Sequence, residues 1–180
     1  METELQLLNA IRSGEREATR RLYDRYAGLV MAVGLRYVPD RDEVRDVVQD
    51  SFVKILTAIG RFSYRGEGSL QAWVRSIVAH QAIDHVKRRH QLVLTDQVPE
   101  EPEEEEPDVG RVPTEVLNQL IGTLPTGYRM VLNLYVFEQM PHKEIARLLG
   151  ITPDTSASQY ARAKQALAKR INNYLKNNRQ

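Results

Sequence analysis

The sequence predicts an all-α fold of two helical domains joined by a flexible acidic linker. Apolar residues recur at helical spacing through both ends of the chain, which is the pattern of amphipathic helices. Between these ends, residues 93–113 contain four prolines and 8 Asp and Glu against 1 Lys and Arg. Such a segment cannot bury an apolar face. We therefore expect domains at residues 1–92 and 114–180, with residues 93–113 as the linker.

Composition and charge restrict the classes of function. Of the 180 residues, 42% are hydrophobic and 27% are charged, which is typical of a globular protein. Residues 1–92 carry 15 Lys and Arg against 12 Asp and Glu, and residues 114–180 carry 9 against 4, so two basic domains flank the acidic linker. The sequence has no cysteine, no apolar run of membrane-spanning length and no signal-peptide core. We expect a cytoplasmic protein without direct membrane insertion.

The first domain is predicted to be a set of four helices. They are expected at Glu4–Ser13, Glu15–Tyr37, Asp42–Ile59 and Leu70–His90. Pro39 ends the second helix, because proline cannot continue one. The third helix has a continuous apolar face made of Val44, Val47, Val48, Phe52, Ile55, Leu56 and Ile59. The segment Gly60–Ser69, GRFSYRGEGS, is then expected to be a loop.

This loop and the helix after it combine aromatic and basic residues, as single-stranded nucleic acid requires. A ring stacks on an unpaired base and an arginine neutralises the adjacent phosphate. The stacking candidates are Phe62, Tyr64 and Trp73, and the phosphate candidates are Arg61, Arg65, Arg75, Lys87, Arg88 and Arg89. Packing in the core is the alternative for Phe62 and Trp73, since most large aromatic side chains are buried.

The second domain contains a predicted helix-turn-helix between Met140 and Lys164, MPHKEIARLLGITPDTSASQYARAK. Ile145, Ala146, Leu148 and Leu149 form the apolar face of its first helix, and Gly150 can take the positive φ of a tight turn. Thr152 and Pro153 suit the start of a second helix, expected at Pro153–Lys176. Its outer side is expected to offer Thr155, Ser158, Gln159, Arg162 and Lys164 for base and phosphate contacts. An inert helical hairpin is the alternative.

Catalytic and metal-binding functions find no support in the sequence. His80, His85 and His90 follow one another at intervals of five residues, so their side chains point in different directions around one helix. No nucleophile motif occurs, and Asp42, Asp46 and Asp50 form a surface stripe rather than an acid and base pair in a cavity. We therefore expect no enzyme activity, no cofactor and no metal.

Three segments, in this order, resemble the extracytoplasmic-function sigma factors of the bacterial sigma-70 family. DRDEVRDVVQDSFVKIL, at Asp40–Leu56, is similar to the helix that docks on core RNA polymerase. RFSYRGEGSLQAWVRSIVAHQAIDHVKRR, at Arg61–Arg89, is similar to the part that melts the −10 promoter element. LPTGYRMVLNLYVFEQMPHKEIARLLGITPDTSASQYARAKQAL, at Leu124–Leu167, is similar to conserved region four, which reads the −35 element as duplex. The resemblance covers nearly all of the chain except the linker.

The resemblance implies roles for particular residues. Core polymerase contacts are implied for Asp42, Glu43, Asp46, Gln49, Asp50 and Lys54. Contacts to the melted −10 strand are implied for Arg61, Phe62, Ser63, Tyr64, Arg65, Trp73, Arg75, His80, Gln81, Asp84, Lys87, Arg88 and Arg89. Contacts to the −35 duplex are implied for Thr155, Ala157, Ser158, Gln159, Arg162 and Lys164. A flipped base would be held by the loop at Phe62–Ser69, so that binding energy melts the DNA.

The sequence departs from the family pattern at several positions. Gln81 stands where an asparagine is usual, and Ala157 and Gln159 stand where basic residues are common. Pro141 replaces a serine helix cap. None of these changes breaks an apolar pattern, so they bear on which promoter is read.

Two further expectations concern the linker and a protein partner. The linker is either a solvated spacer that sets reach or an anionic strand that enters a nucleic-acid channel of the polymerase. The resemblance also implies an anti-sigma factor that holds the protein inactive.

A helix-turn-helix regulator that binds duplex DNA without polymerase is the alternative function, but such a protein has no need of the aromatic loop. An enzyme acting on nucleic acid is the third class, and it lacks a catalytic constellation.

Overall fold

The computed structural model of the protein describes residues 2–89 and 105–178, and within these ranges it contains helices and no strand. The chain divides into two compact units, Met1–His85 and Val86–Gln180. The predicted all-α fold is confirmed. The expected helix end at His90 and the predicted linker residues 93–104 lie outside the described residues. No helix in the described part of the chain is both long and apolar enough to cross a membrane.

The first part of the chain forms four helices close to their predicted bounds. They are α1 (Glu4–Arg12), α2 (Ala18–Tyr37), α3 (Arg41–Ala58) and α4 (Ser69–Arg89). A single 3-10 turn, Ile59–Arg61, follows α3. Capping explains two of the starts: the Thr3 hydroxyl accepts from the amide of Gln6, and the Asp40 carboxylate accepts from two amides of the first turn of α3.

The core of the first unit is built from the predicted apolar faces. Its fully buried members include Leu7, Leu8, Leu22, Val30, Tyr37, Val44, Val47, Ile55, Leu70 and Ile83. Burial of each such aliphatic side chain stabilises the fold by about 1.5–3 kcal/mol. Helices α2 and α3 approach closely at Gly34, where an added Cβ would lie 2.8 Å from the Val44 Cγ2. A larger residue at position 34 would therefore displace the Val44 side chain or move the two helices apart.

The C-terminal unit is a second helical bundle. Its helices are α5 (Thr114–Gly122), α6 (Thr126–Leu132), α7 (His142–Leu149) and α8 (Pro153–Asn177). The segment Asn133–Phe137 continues α6 as a π-helical turn. The core of the C-terminal unit joins α5, α6 and α8 through Ile121, Leu124, Tyr128, Leu132, Ala163 and Ala166. Helix α8 thus has its long inner face fixed by two other helices.

The described end of the predicted linker packs against α8. Val109–Arg111 form a 3-10 turn, Val112 is buried, and the Asn172 side chain donates to the Glu105 carbonyl at 2.9 Å. We expected linker residues to pack against nothing apolar, and for this short stretch that expectation is wrong. The reason is that the acidic run ends at Asp108, after which Val112 supplies a buried apolar side chain.

Candidate nucleic-acid and polymerase interfaces

The loop between the 3-10 turn and α4 has a defined backbone path. Gly66 and Gly68 have φ of 118° and 89°, conformations that other residues adopt only with strain. The Ser69 hydroxyl accepts from the Arg65 amide at 3.2 Å and donates to the Gly66 carbonyl at 2.6 Å. These bonds close the loop directly onto the first turn of α4.

The aromatic side chains of this loop are half-buried. The rings of Phe62 and Trp73 contact each other, with centroids 5.0 Å apart and planes inclined by 37°. The Tyr64 hydroxyl donates to the Glu67 carboxylate at 3.2 Å. Burial, and then Glu67, raise the pKa of Tyr64, so its hydroxyl stays protonated as a donor. Phe62 and Trp73 therefore pack partly on each other and still leave ring surface accessible. The sequence left open whether these rings pack in the core or are available for stacking on bases, and the structure combines both features.

Helices α1 and α2 hold the loop through polar contacts. The Glu67 carboxylate accepts from the backbone amide of Glu4 at 3.2 Å and from the Arg25 guanidinium at 3.3 Å. The Arg12 guanidinium donates to the Phe62 carbonyl. The sequence reasoning missed Glu4 and Arg12 as supports of the loop. The available signal was an acidic residue, Glu4, on the same helix face as two buried leucines.

Most of the candidates on α4 for contact with the melted strand share one side of that helix. At about 100° per residue this side carries Trp73, His80, Gln81, Asp84, Lys87 and Arg88. Trp73 and Gln81 are half-buried, and the other four are exposed. Arg75 and Arg89 lie about 160° to 200° around the helix from Trp73. The loop residues Arg61, Ser63 and Arg65 are exposed beside the N-terminal end of α4.

The outer face of α3 carries the candidates for contact with polymerase. Asp42, Asp46, Gln49, Asp50 and Lys54 are exposed. Glu43 is half-buried, and its carboxylate lies 3.4 Å from the ring nitrogen Nε2 of buried His85. Val53 and Leu56 are 58% and 41% exposed. The sequence placed Leu56 on the buried face, which is wrong. Around the helix axis, Leu56 lies about 40° from Asp42, at the edge of the stripe of exposed carboxylates. Together with Val53 it therefore forms an exposed apolar patch beside that stripe.

The helix-turn-helix has the predicted turn geometry. Gly150 has φ of 71° in the left-handed region and ends α7. The Thr152 hydroxyl accepts from the Thr155 amide at 3.1 Å, and Pro153 occupies the first turn of α8. The first-turn proline and the threonine cap are confirmed as the signals that start this helix.

The solvent-facing side of α8 differs from the prediction at one position. Ala157, Ser158 and Lys164 are exposed, whereas Thr155 and Arg162 are half-buried. Gln159 is only 2% exposed and lies on the inner side with Ser156, Ala163 and Ala166. The prediction that Gln159 lies on the outer side is therefore wrong. The inner side of α8 near its start is made of small and polar residues, so no large apolar residue marks it in the sequence.

An aromatic cluster anchors α8 to the preceding elements. The Tyr135 ring stacks on His142 with centroids 4.5 Å apart and lies 4.4 Å from the Tyr160 ring. His142 Nδ1 lies 2.9 Å from the hydroxyl of buried Ser156, and the Lys164 ammonium lies 5.3 Å from the Tyr160 ring centroid. The cluster fixes the start of α8 against α7 and the π-helical turn. Across the described residues, no group of three or more His, Cys, Asp or Glu could hold a metal ion.

Two family models match the chain in the same order as its two units. The first, described as sigma-70 region 2, matches residues 22–91. The second, described as sigma-70 region 4, matches residues 114–167. The first match includes α2 from residue 22 onward, α3, the aromatic loop and α4, and the second includes the helix-turn-helix predicted between Met140 and Lys164.

Curated relatives align over nearly the full length. The RNA polymerase sigma-H factor of Pseudomonas aeruginosa is 27% identical and the ECF RNA polymerase sigma-E factor of Escherichia coli K12 is 26% identical; in both cases the alignment covers 94% of this chain and 94% of the relative. A solved chain titled "Structure of CnrH in complex with the cytosolic domain of CnrY" aligns with a TM-score of 0.49 and 24% identity, over 93% of this chain and 96% of that one.

Proposed function

The chain belongs to the sigma-70 family of transcription initiation factors, as a member of its extracytoplasmic-function group, and from this membership we propose how it acts. It binds core RNA polymerase, directs it to promoters through a −35 and a −10 element, and promotes melting of the −10 element. Residues 1–92 bind polymerase and the −10 element, residues 93–113 are the linker, and residues 114–180 bind the −35 element.

The observation that carries the proposal is the aromatic loop beside a basic helix. Phe62 and Tyr64 leave ring surface accessible next to Arg61 and Arg65, and the exposed side of α4 continues with Lys87 and Arg88. Stacking on a base contributes about 1–3 kcal/mol, and flipping a base out of duplex costs a few kcal/mol. Several such contacts together are therefore of the size needed to hold a melted strand.

The outer face of α3 is proposed to contact core polymerase. Exposed carboxylates at Asp42, Asp46 and Asp50 lie next to the exposed apolar side chains of Val53 and Leu56. An interface centre that is apolar with charged residues at its rim is typical of specific protein complexes. Because Glu43 is half-buried whereas Asp46 is exposed, the contribution of Glu43 is expected to be smaller than that of Asp46.

The exposed side of α8 is proposed to read the −35 element. Thr155 and Ser158 lie near the N-terminal end of the helix, where base edges are contacted in helix-turn-helix proteins. Arg162 and Lys164 lie further along, where phosphates are contacted. The burial of Gln159 removes one polar group from this side, so this helix relies on few base contacts.

The family resemblance adds two further parts to the proposal, a linker role in the polymerase channel and an anti-sigma partner. The first is supported by the acidic composition of residues 93–113, which resembles the charge of a nucleic-acid backbone. A pull-down from the native host, with the full chain as bait, tests the second.

Reconstitution with core polymerase on a promoter library tests the whole proposal. We expect transcripts that start at defined positions downstream of a shared two-part sequence. If no promoter-dependent transcript appears while the protein alone still shifts duplex DNA, the chain acts as a helix-turn-helix regulator and the proposal is wrong.

A further inference from the structure

One carboxylate of α1 is buried against the N-terminal end of α4. Glu4 is 2% exposed. Because acidic side chains are almost never buried without partners, its carboxylate is expected to be hydrogen-bonded. Its Oε2 accepts from the amides of Gly68 and Leu70 at 2.9 Å each. Its Oε1 accepts from the Gln71 amide at 3.0 Å and from the Tyr26 hydroxyl at 3.0 Å. All four bonds link residues that are distant in sequence.

These bonds place a negative charge at the positive end of α4. The first amides of a helix have no partner within the helix, and an acceptor supplied from elsewhere satisfies them. In most helices a side chain just before the first turn does this, but here the acceptor comes from a residue more than 60 positions away. The start of α4 is therefore fixed relative to α1 and not only to its own loop.

Helix α1 also holds the other parts of the Phe62–Ser69 loop. The Glu4 backbone amide donates to Glu67, and the Arg12 guanidinium donates to the Phe62 carbonyl. The loop contains two glycines with positive φ, so its own sequence restricts its path weakly. Contacts with α1 at both ends of the loop supply the missing restriction.

We propose that Glu4 is a positioning residue for promoter melting: it holds the Phe62–Ser69 loop in the geometry that captures the melted strand, without itself touching DNA. The inference rests on the proposed function for its consequence, and on the four hydrogen bonds for its mechanism. Among the residues that the family resemblance implicated, none lies on α1.

The variant Glu4→Gln tests the proposal with little change of shape. It keeps one acceptor but presents an amide group to the donors, and it leaves the contact between the backbone of residue 4 and Glu67 available. Glu4→Asp keeps the charge on a shorter side chain. Val30→Ala is the matched control, because it opens a cavity in the core of the same unit, and a valine side chain makes no hydrogen bond to the loop.

The first measurement uses the free protein and needs no polymerase. Trp73 is the only tryptophan, and its ring contacts Phe62. In Glu4→Gln we expect a shifted Trp73 emission spectrum while far-UV circular dichroism still shows a folded chain. Val30→Ala should keep the wild-type spectrum at a temperature where it is folded. An unchanged spectrum in Glu4→Gln would overturn the proposal.

The second measurement uses holoenzyme on a promoter with 2-aminopurine in the −10 element. We expect Glu4→Gln to reduce the opening signal about ten-fold, as the loss of hydrogen bonds to a charged group predicts, with core polymerase affinity within about two-fold of wild type. Glu4→Asp should restore part of the signal. Wild-type opening by Glu4→Gln, or an equal defect in Val30→Ala, would overturn the proposal. If wild-type protein opens no promoter, the proposed function itself fails, and the Trp73 spectrum still reports on loop position.

Discussion

Tyr26 donates its hydroxyl hydrogen bond to the Glu4 carboxylate at 3.0 Å inside the first unit, and both side chains are buried. Burial, and then Glu4, raise the pKa of Tyr26 above its ordinary value. An unfolded tyrosine loses its proton near pH 10, whereas the folded one retains it to higher pH. Tyr26 thus contributes its full stabilisation below about pH 10 and loses it progressively above that pH.

The variant Tyr26→Phe is therefore expected to be less stable by about 1.5–3 kcal/mol at pH 8, since it loses a hydrogen bond to a charged group. The difference in the free energy of unfolding between wild type and variant should be smaller at pH 10.5, because the stabilisation by Tyr26 is lost above about pH 10. Urea unfolding followed by Trp73 fluorescence measures the first unit alone, and Tyr23→Phe is the exposed control. A difference that stays constant between the two pH values would contradict the assigned cause.

Removing the loop rings is expected to impair melting more than duplex binding. Phe62→Ala and Tyr64→Ala should each weaken the open complex by about 1–3 kcal/mol, because a stacked base loses its partner. Binding to an isolated −35 duplex should stay at the wild-type level. Tyr64→Phe, which keeps the ring and loses only the bond to Glu67, is the matched control. Equal opening by wild type and both alanine variants would exclude base capture by this loop.

Alanine substitutions at two nearby positions on α8 are expected to change different properties, stability at one position and DNA binding at the other. Gln159→Ala should lower the free energy of unfolding by about 1–3 kcal/mol, because it removes a buried polar group and leaves space. Arg162→Ala should instead weaken binding to the −35 duplex with little change in stability. Denaturation by circular dichroism and fluorescence anisotropy with labelled duplex separate the two effects. The placement of Gln159 would be wrong if its variant lost DNA affinity at unchanged stability.

The basic end of α4 is expected to control the salt dependence of strand binding. Each phosphate contact to single-stranded DNA contributes about 0.7 to the slope of log affinity against log salt. Replacing Lys87, Arg88 and Arg89 by glutamine should therefore make the slope of −10 strand binding by holoenzyme shallower by up to about 2. Arg20→Gln, at an exposed position of α2, should leave it unchanged. An unaltered slope in the triple variant would remove these residues from the strand path.

Features set by local sequence were predictable, and features set by distant contacts were not. The turn at Gly150 and the cap at Thr152 depend on a few adjacent residues, so the sequence predicts them directly. Three of the four hydrogen bonds to the Glu4 carboxylate join positions that are more than 60 residues apart, and nothing near Glu4 indicates these partners. Gln159 was misplaced because the small residues beside it give α8 no apolar stripe at that point. The π-helical turn at Asn133–Phe137 was missed because its apolar residues fit an ordinary helix equally well.

The position of Glu4 so early in α1 makes the loop sensitive to trimming of the chain. A protease that cleaved after Glu4, or translation that began at a later codon, would produce a protein that keeps every residue assigned to polymerase and promoter contact. The amides of Gly68, Leu70 and Gln71 would nevertheless lose their acceptor. Such a truncated form would compete for polymerase while opening promoters poorly, and mixing it with intact protein in a transcription reaction would reveal it as an inhibitor.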